Sequence, residues 1–117
     1  MLDKFLAFLR ELGYPVRLHG YLLDTDLDKE DAVLTYEEIS TQSVMEYSNS
    51  TNGILWTWRV HIIARDPATA INISQKLRKL SLTTPFTPQG FGSGYPIQGT
   101  GYYGRSIDIK ALEILKN

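Results

Sequence analysis

Residues 54–80 constrain the fold more than any other stretch, because a strand pattern passes directly into a helix pattern there. Trp56, Trp58, Val60, Ile62 and Ala64 fall on one side of an alternating run, with Leu55, Thr57, Arg59, His61 and Ile63 on the other. Period-2 alternation with the bulk on one side predicts a strand with a core face and a partly polar face. Asp66 stands at an N-cap position, where its carboxylate accepts an orphan amide hydrogen bond, and Pro67 suits the first helical position because its missing N–H has no partner to lose there. Ala70, Ile73, Leu77 and Leu80 then recur at spacings of three and four, opposite Gln75, Lys76, Arg78 and Lys79. That spacing predicts an amphipathic helix with its positive charge toward the favourable C-terminal end of the dipole.

The N-terminal 12 residues carry Leu2, Phe5, Leu6, Leu9 and Leu12 on one helical stripe, widened by Phe8, and Gly13 follows as a C-terminal stop. Tyr14-Pro15 turns the chain out of helix, since a residue preceding proline avoids the α region. Strands are predicted over 16–23 and 32–39, with 40–49 extending or restarting the second. They are joined by an acidic turn in which Asp24, Asp26, Asp28, Glu30 and Asp31 supply five carboxylates. The polar run 48–53 reads as an exposed loop.

Residues 83–104 hold six of the nine glycines together with Pro85, Pro88 and Pro96. Such a composition is incompatible with a packed helix or an ordinary central strand, so a long irregular arm is expected. Phe86, Phe91, Tyr95, Ile97, Tyr102 and Tyr103 punctuate it, which a plain flexible linker would not show. We therefore expect the arm to order against a partner. Residues 106–115 close the chain as a strand with Ile107 and Ile109 on one face, and the spacing of Leu112, Ile114 and Leu115 suggests a bulge or a terminal helical turn.

At 117 residues, 43% hydrophobic and 21% charged, the chain is predicted to form one domain, 1–117, with its own core. The element order defines an α+β fold, with a mostly antiparallel sheet and helices packed on one face. A right-handed crossover would place the last strand near the 54–65 strand. The predicted core comprises Leu6, Leu9, Trp58, Val60, Ile62, Ile73, Leu77, Ile107 and Ile109. With 12 basic against 13 acidic residues the formal charge is −1, which argues against a dedicated nucleic-acid binder. No apolar run approaches the length of a membrane span, no signal-peptide pattern opens the chain, and the absence of cysteine fits synthesis in a reducing cytoplasm.

Residue patterns that chemistry would require are not evident. His19 and His61 lie on separate predicted strands with no local ligand spacing, and are read as strand residues rather than metal ligands. Counted from Asp24, an EF-hand loop would need glycine and glutamate where Lys29 and Thr35 stand. The glycine clusters at 90–94 and 99–104 precede a strand rather than a helix, so they do not form a dinucleotide cradle. Gly92-Ser93-Gly94 lacks the spacing of a nucleophile elbow. Trp56 and Trp58 read as core or interface rather than as a base-stacking platform. The expectation is therefore no catalytic, cofactor-binding or metal-binding residue, and no enzyme.

One resemblance covers nearly the whole chain. The N-terminal amphipathic helix, the strand at 32–39, the polar loop before an aromatic-rich strand, the Asp-Pro-x-x-Ala start of the second helix and the final strand resemble the tail terminator and head-tail joining (tail completion) proteins of long-tailed bacteriophages. Ala32 stands where typical relatives carry proline. The resemblance implies a structural virion protein that forms a homo-oligomeric ring, usually a hexamer, on the last tail-tube ring, ends tube polymerisation and meets the head-side connector. It implies localisation to the virion tail after synthesis in the host cytoplasm. The implied partners are the tail-tube protein and the connector, with no membrane and no sequence-specific nucleic acid, although DNA would pass through the ring. Ring assembly repeats a heterologous interface around an axis. Asp24, Asp26 and Asp28 of the acidic turn and Phe91, Tyr95, Tyr102 and Tyr103 of the arm are the candidate interface residues. The rival expectation is a small α+β ligand-binding or enzymatic domain whose pocket is capped by the Gly-rich segment, with Tyr95, Tyr102, Tyr103, Arg105 and His61 converging on one cavity.

Overall fold

The computed structural model describes residues 1–19, 31–45, 52–97 and 101–115. Among them the element order is α1 (Leu2–Arg10), β1 (Val16–Leu18), β2 (Ala32–Met45), β3 (Asn52–Ala64), α2 (Pro67–Ser81), β4 (Thr87–Ile97) and β5 (Tyr102–Leu115). The strands form one sheet in the order β1-β2-β3-β5-β4. The β1–β2 pairing is parallel and the other three are antiparallel. This is the expected α+β fold, a mostly antiparallel sheet with both helices on one face. β5 lies beside the 54–65 strand as expected, but antiparallel to it. The crossover through α2 delivers β4 to the outer edge, and β5 then inserts between β3 and β4.

Alternation in β3 sets the two faces. Trp58, Val60, Ile62 and Ala64 point under the helices, each at most 1% exposed, and pack with Leu34, Ile107, Ile109 and Ala111 from the flanking strands. From α2 come Ala70, Ile73 and Leu77, the stripe read from its spacing. The N-terminal helix docks differently from expectation. Phe5, Phe8 and Leu9 are buried while Leu6 is only half-buried and Leu2 is exposed. The reason is aromatic: Phe5 stacks on Trp58 with ring centroids 4.2 Å apart and planes 9° apart, and Phe8 meets Phe86 at 4.9 Å. Offset aromatic stacking adds about 0.5–1.5 kcal/mol beyond area burial, so the helix rotates to bring its phenylalanines over the tryptophan. Trp56 extends the stack at 5.4 Å from Trp58, and its indole N–H donates to Glu113 at 3.2 Å.

Asp66 caps α2 as read. Its backbone is extended (φ −148°, ψ 161°), Oδ1 accepts from the Thr69 amide at 2.8 Å, and Oδ2 accepts from the Thr69 hydroxyl at 3.1 Å. These bonds, the amide one foremost, hold the Asp66 carboxyl below its ordinary value of 3.8. A depressed folded-state pKa contributes stability that is fully present above the ordinary value and is lost as pH falls through the folded one. We therefore expect Asp66→Asn, which keeps an acceptor but not the charge, to be less stable than wild type at neutral pH. The gap should close as pH drops below 3.8. Denaturation midpoints across that range check it, and a gap independent of pH would show that the charge contributes nothing.

The second strand extends, one of the two alternatives expected for 40–49, whereas the 83–104 arm differs from the sequence expectation. β2 runs unbroken through 40–45, with a register shift between Glu38 and Ser40 that leaves Ile39 as the extra residue of a bulge. The arm at 83–104 is largely a strand: β4 is an edge strand paired with β5, and β5 already begins at Tyr102. Its glycines have structural tasks. Gln89 pairs with Asp108 and Ser93 with Ser106, so β4 carries two more residues than β5 between these points. Gly90 (φ 70°) and Gly92 (φ 79°) supply the positive φ that this bulge needs. Gly104 leaves room for Tyr95, whose ring lies flat across it; a Cβ there would meet the ring at 2.5 Å. In the same way the Tyr103 hydroxyl lies where a Cβ on Gly94 would stand. A ring laid over a strand glycine restores the packing the glycine lacks. β5 continues straight to Leu115 against β3, with no bulge or helical turn at 112–115.

Candidate functional site

The face of the sheet away from the helices is organised in cross-strand rows, because register places same-parity residues side by side. One row is Thr35, His61, Ser106 and Ser93, and the next is Glu37, Arg59, Asp108 and Gln89. On one side of this polar band lies a small apolar cluster of Val33 and Ile63 with Ile97 and Tyr102 against it. On the other side the long strands carry Val44, Leu55, Leu112 and Ile114 on the same face. Val44 is 38% exposed, Leu112 47% and Ile114 60%. Strands of 14 residues at about 3.3 Å each span about 46 Å, far more than one turn-rich domain needs to bury its core, so their ends project as an aliphatic arm.

The polar band forms a connected network. His61 Nδ1 is 2.9 Å from the Ser106 hydroxyl and 3.2 Å from the Tyr95 hydroxyl, and its Nε2 is 3.0 Å from Glu37 Oε2. His19 follows β1, tied down by its amide donating to the Tyr36 carbonyl at 2.8 Å. Its Nδ1 is 3.1 Å from Thr35 Oγ1, and its Nε2 is 3.5 Å from the same Glu37 oxygen. The two imidazoles lie 4.2 Å apart with planes 22° from parallel. Alongside, Arg59 Nε donates to Asp108 Oδ1 at 2.8 Å and its Nη2 to Oδ2 at 3.4 Å. The Asp108 hydrogen bond and charge, with a smaller contribution from Glu37, hold the Arg59 guanidinium above its ordinary value. The β4 bulge bows outward beside this band and opens a groove of about 650 Å³, lined by Arg59, His61, Gln89, Tyr95, Ser106 and Asp108 among others.

The sequence-predicted site residues divide. Tyr95 and His61 do meet, through the hydroxyl-to-imidazole contact. Tyr102 sits in the apolar cluster, while Tyr103 and Arg105 occupy the opposite register on β5, toward the helices. The five residues that a capped pocket would have gathered therefore do not converge. Tyr102 and Tyr103 are half-buried against the protomer's own apolar clusters, while Tyr95 lies over Gly104 and stays exposed. Asp24, Asp26 and Asp28 lie outside the described residues, as does the side chain of Phe91. Sequence reading missed His19, Glu37 and Ser106 as a set with His61. The available signal was parity: His61, Glu37 and Ser106 each fall on the polar side of an alternating strand.

No protein family model matches the chain, and no curated protein matches it in sequence.

Proposed function

We propose that this is a non-enzymatic structural protein of a long-tailed bacteriophage, a tail terminator or head-tail joining protein. It would form a homo-oligomeric ring that ends tail-tube polymerisation and connects to the head-side connector. The observation that carries this reading is the projecting arm of β2, β3 and β5, whose helix-free face exposes Val44, Leu112 and Ile114 around Leu55. Contiguous exposed aliphatic side chains at the end of a sheet mark a protein contact. A ring requires each protomer to offer such a patch to a different surface of its neighbour. Gly53 completes the patch: a Cβ there would lie 3.1 Å from Leu112 Cδ1, so glycine lets the side chain settle onto the strand.

Leu112→Lys with Ile114→Lys places two charges in that patch at positions already 47% and 60% exposed. The free protomer is expected to keep its circular dichroism spectrum and melting behaviour. Introduced into the encoding genome, the pair should produce overlong tails or unjoined heads and tails in electron micrographs. Normal virions with tails of normal length would sink the proposal. A monomeric purified protein would not contradict it, because ring contacts depend on concentration and on the tube end.

The groove beside Arg59 and His61 favours a second reading, a ligand-binding or enzymatic domain. The two separate cleanly: ring function depends on the aliphatic arm, whereas ligand binding would survive the lysine substitutions and fail when the polar band is altered.

A further inference from the structure

We propose that His19, Glu37 and His61 form a binding site for one divalent transition-metal ion of the zinc class. This stands apart from the ring proposal, since it rests on the polar band and not on the aliphatic arm. Three donor atoms from three neighbouring segments lie within 4.8 Å of one another. Glu37 Oε2 is 3.0 Å from His61 Nε2 and 3.5 Å from His19 Nε2. A tetrahedral zinc ion with bonds of about 2.0–2.1 Å holds its ligands about 3.3–3.4 Å apart, and the observed separations bracket that spacing.

The surrounding hydroxyls strengthen the assignment. A metal-binding imidazole uses one nitrogen for the ion and has the other held by an outer partner that fixes its tautomer and orientation. Thr35 occupies Nδ1 of His19, and Ser106 with Tyr95 occupies Nδ1 of His61. With a metal bound, an Nδ1–H donating to its hydroxyl oxygen leaves each Nε2 with a lone pair for the ion, on the Glu37 side of the ring. Arg59, directly opposite Glu37 in the register, is engaged by Asp108 in a two-point ion pair, which leaves the Glu37 oxygen to the metal. Because the rings are nearly parallel, chelation turns His19 toward the carboxylate; its side chain is 47% exposed, against 12% for His61. Two imidazoles and one carboxylate favour zinc, cobalt or nickel over calcium and magnesium, which prefer oxygen donors throughout. The Glu37 side chain is 35% exposed, which gives water access to complete the coordination sphere.

Isothermal titration of the full chain without an affinity tag, using zinc chloride and magnesium chloride, tests this. Wild type is expected to bind one zinc per chain, to ignore magnesium, and to show tetrahedral visible absorption bands when titrated with cobalt. Loss of an outer partner commonly weakens metal binding about 10–100-fold; Ser106→Ala should fall in that range. His19→Ala, Glu37→Gln and His61→Ala should each weaken it by about 100-fold or more, beyond an outer-partner loss. His19→Ala, at an exposed position, leaves the fold intact and keeps the test decisive if His61→Ala proves unstable. No zinc uptake by wild type at millimolar metal would overturn the proposal, and so would equal affinity in the His19→Ala and Glu37→Gln variants. The cluster would then be a hydrogen-bonded network only.

Discussion

Replacing Trp58 by alanine is expected to cost about 3–5 kcal/mol of stability, the range for removing a large buried aromatic side chain. Trp58 is 1% exposed and is the largest fully buried side chain among the described residues. It is sandwiched between Phe5 at 4.2 Å and Trp56 at 5.4 Å, and Phe86 approaches at 6.2 Å. Domains of this size are stable by only about 5–15 kcal/mol, so the loss would consume a large part of the total. Because α1 docks through Phe5 on this ring, the cavity also releases the helix; amides of Phe8 and Leu9 should lose hydrogen-exchange protection in parallel. Phe5→Leu, which keeps a large apolar side chain but removes the stack, should cost less. Denaturant titration measures both. A Trp58→Ala loss no larger than about 0.5 kcal/mol, the size of a surface effect, would mean that the stack does not organise the core.

The contrast between what was legible and what was not follows from how local each signal is. Asp66, Pro67 and the stripe at Ala70, Ile73 and Leu77 act within a turn or two of chain, so their meaning is written in adjacent residues, and the structure places each as read. Leu6 was misassigned because periodicity defines a stripe but not which edge of it faces the sheet; the position of Trp58 decided in favour of Phe5 and Phe8. Glycine and proline are poor strand residues taken singly, which is why the composition of 83–104 predicts an irregular arm. Their purpose depends on β5: Gly104 is the seat of Tyr95 and Gly94 that of Tyr103, facts that require register. Pro88 and Pro96 are tolerable because β4 is an edge strand with an open side. The His19, Glu37, His61 and Ser106 network was hidden for the same reason. Its members are separated widely along the chain and become neighbours only through the parallel β1–β2 pairing and the β2–β3–β5 register.

Gly92→Ala is expected to be the most damaging methyl addition among the described glycines that lie at positive φ. Two costs combine there. Gly92 has φ 79°, and an L-residue held in left-handed backbone loses about 1–2 kcal/mol. Its new Cβ would also stand 2.5 Å from the Ser106 carbonyl oxygen and 2.7 Å from Ile107 Cγ1. Neither neighbour moves freely, since one is strand backbone and the other is a 1%-exposed core residue; overpacking of this kind adds about 1–3 kcal/mol. Gly13→Ala is the matched control: its φ is 88°, yet nothing lies within 4 Å of the added carbon, so only the conformational part applies. Denaturant midpoints should therefore place Gly92→Ala clearly below Gly13→Ala. Equal losses would show that the bulge relaxes around the methyl group. An unequal result has a functional corollary, because the strand pushed aside carries Ser106, which orients His61. The same substitution should then alter the chemical shifts of the His61 ring and, through the 4.2 Å stack, to a smaller degree those of the His19 ring, whose own hydroxyl partner Thr35 is not on the displaced strand.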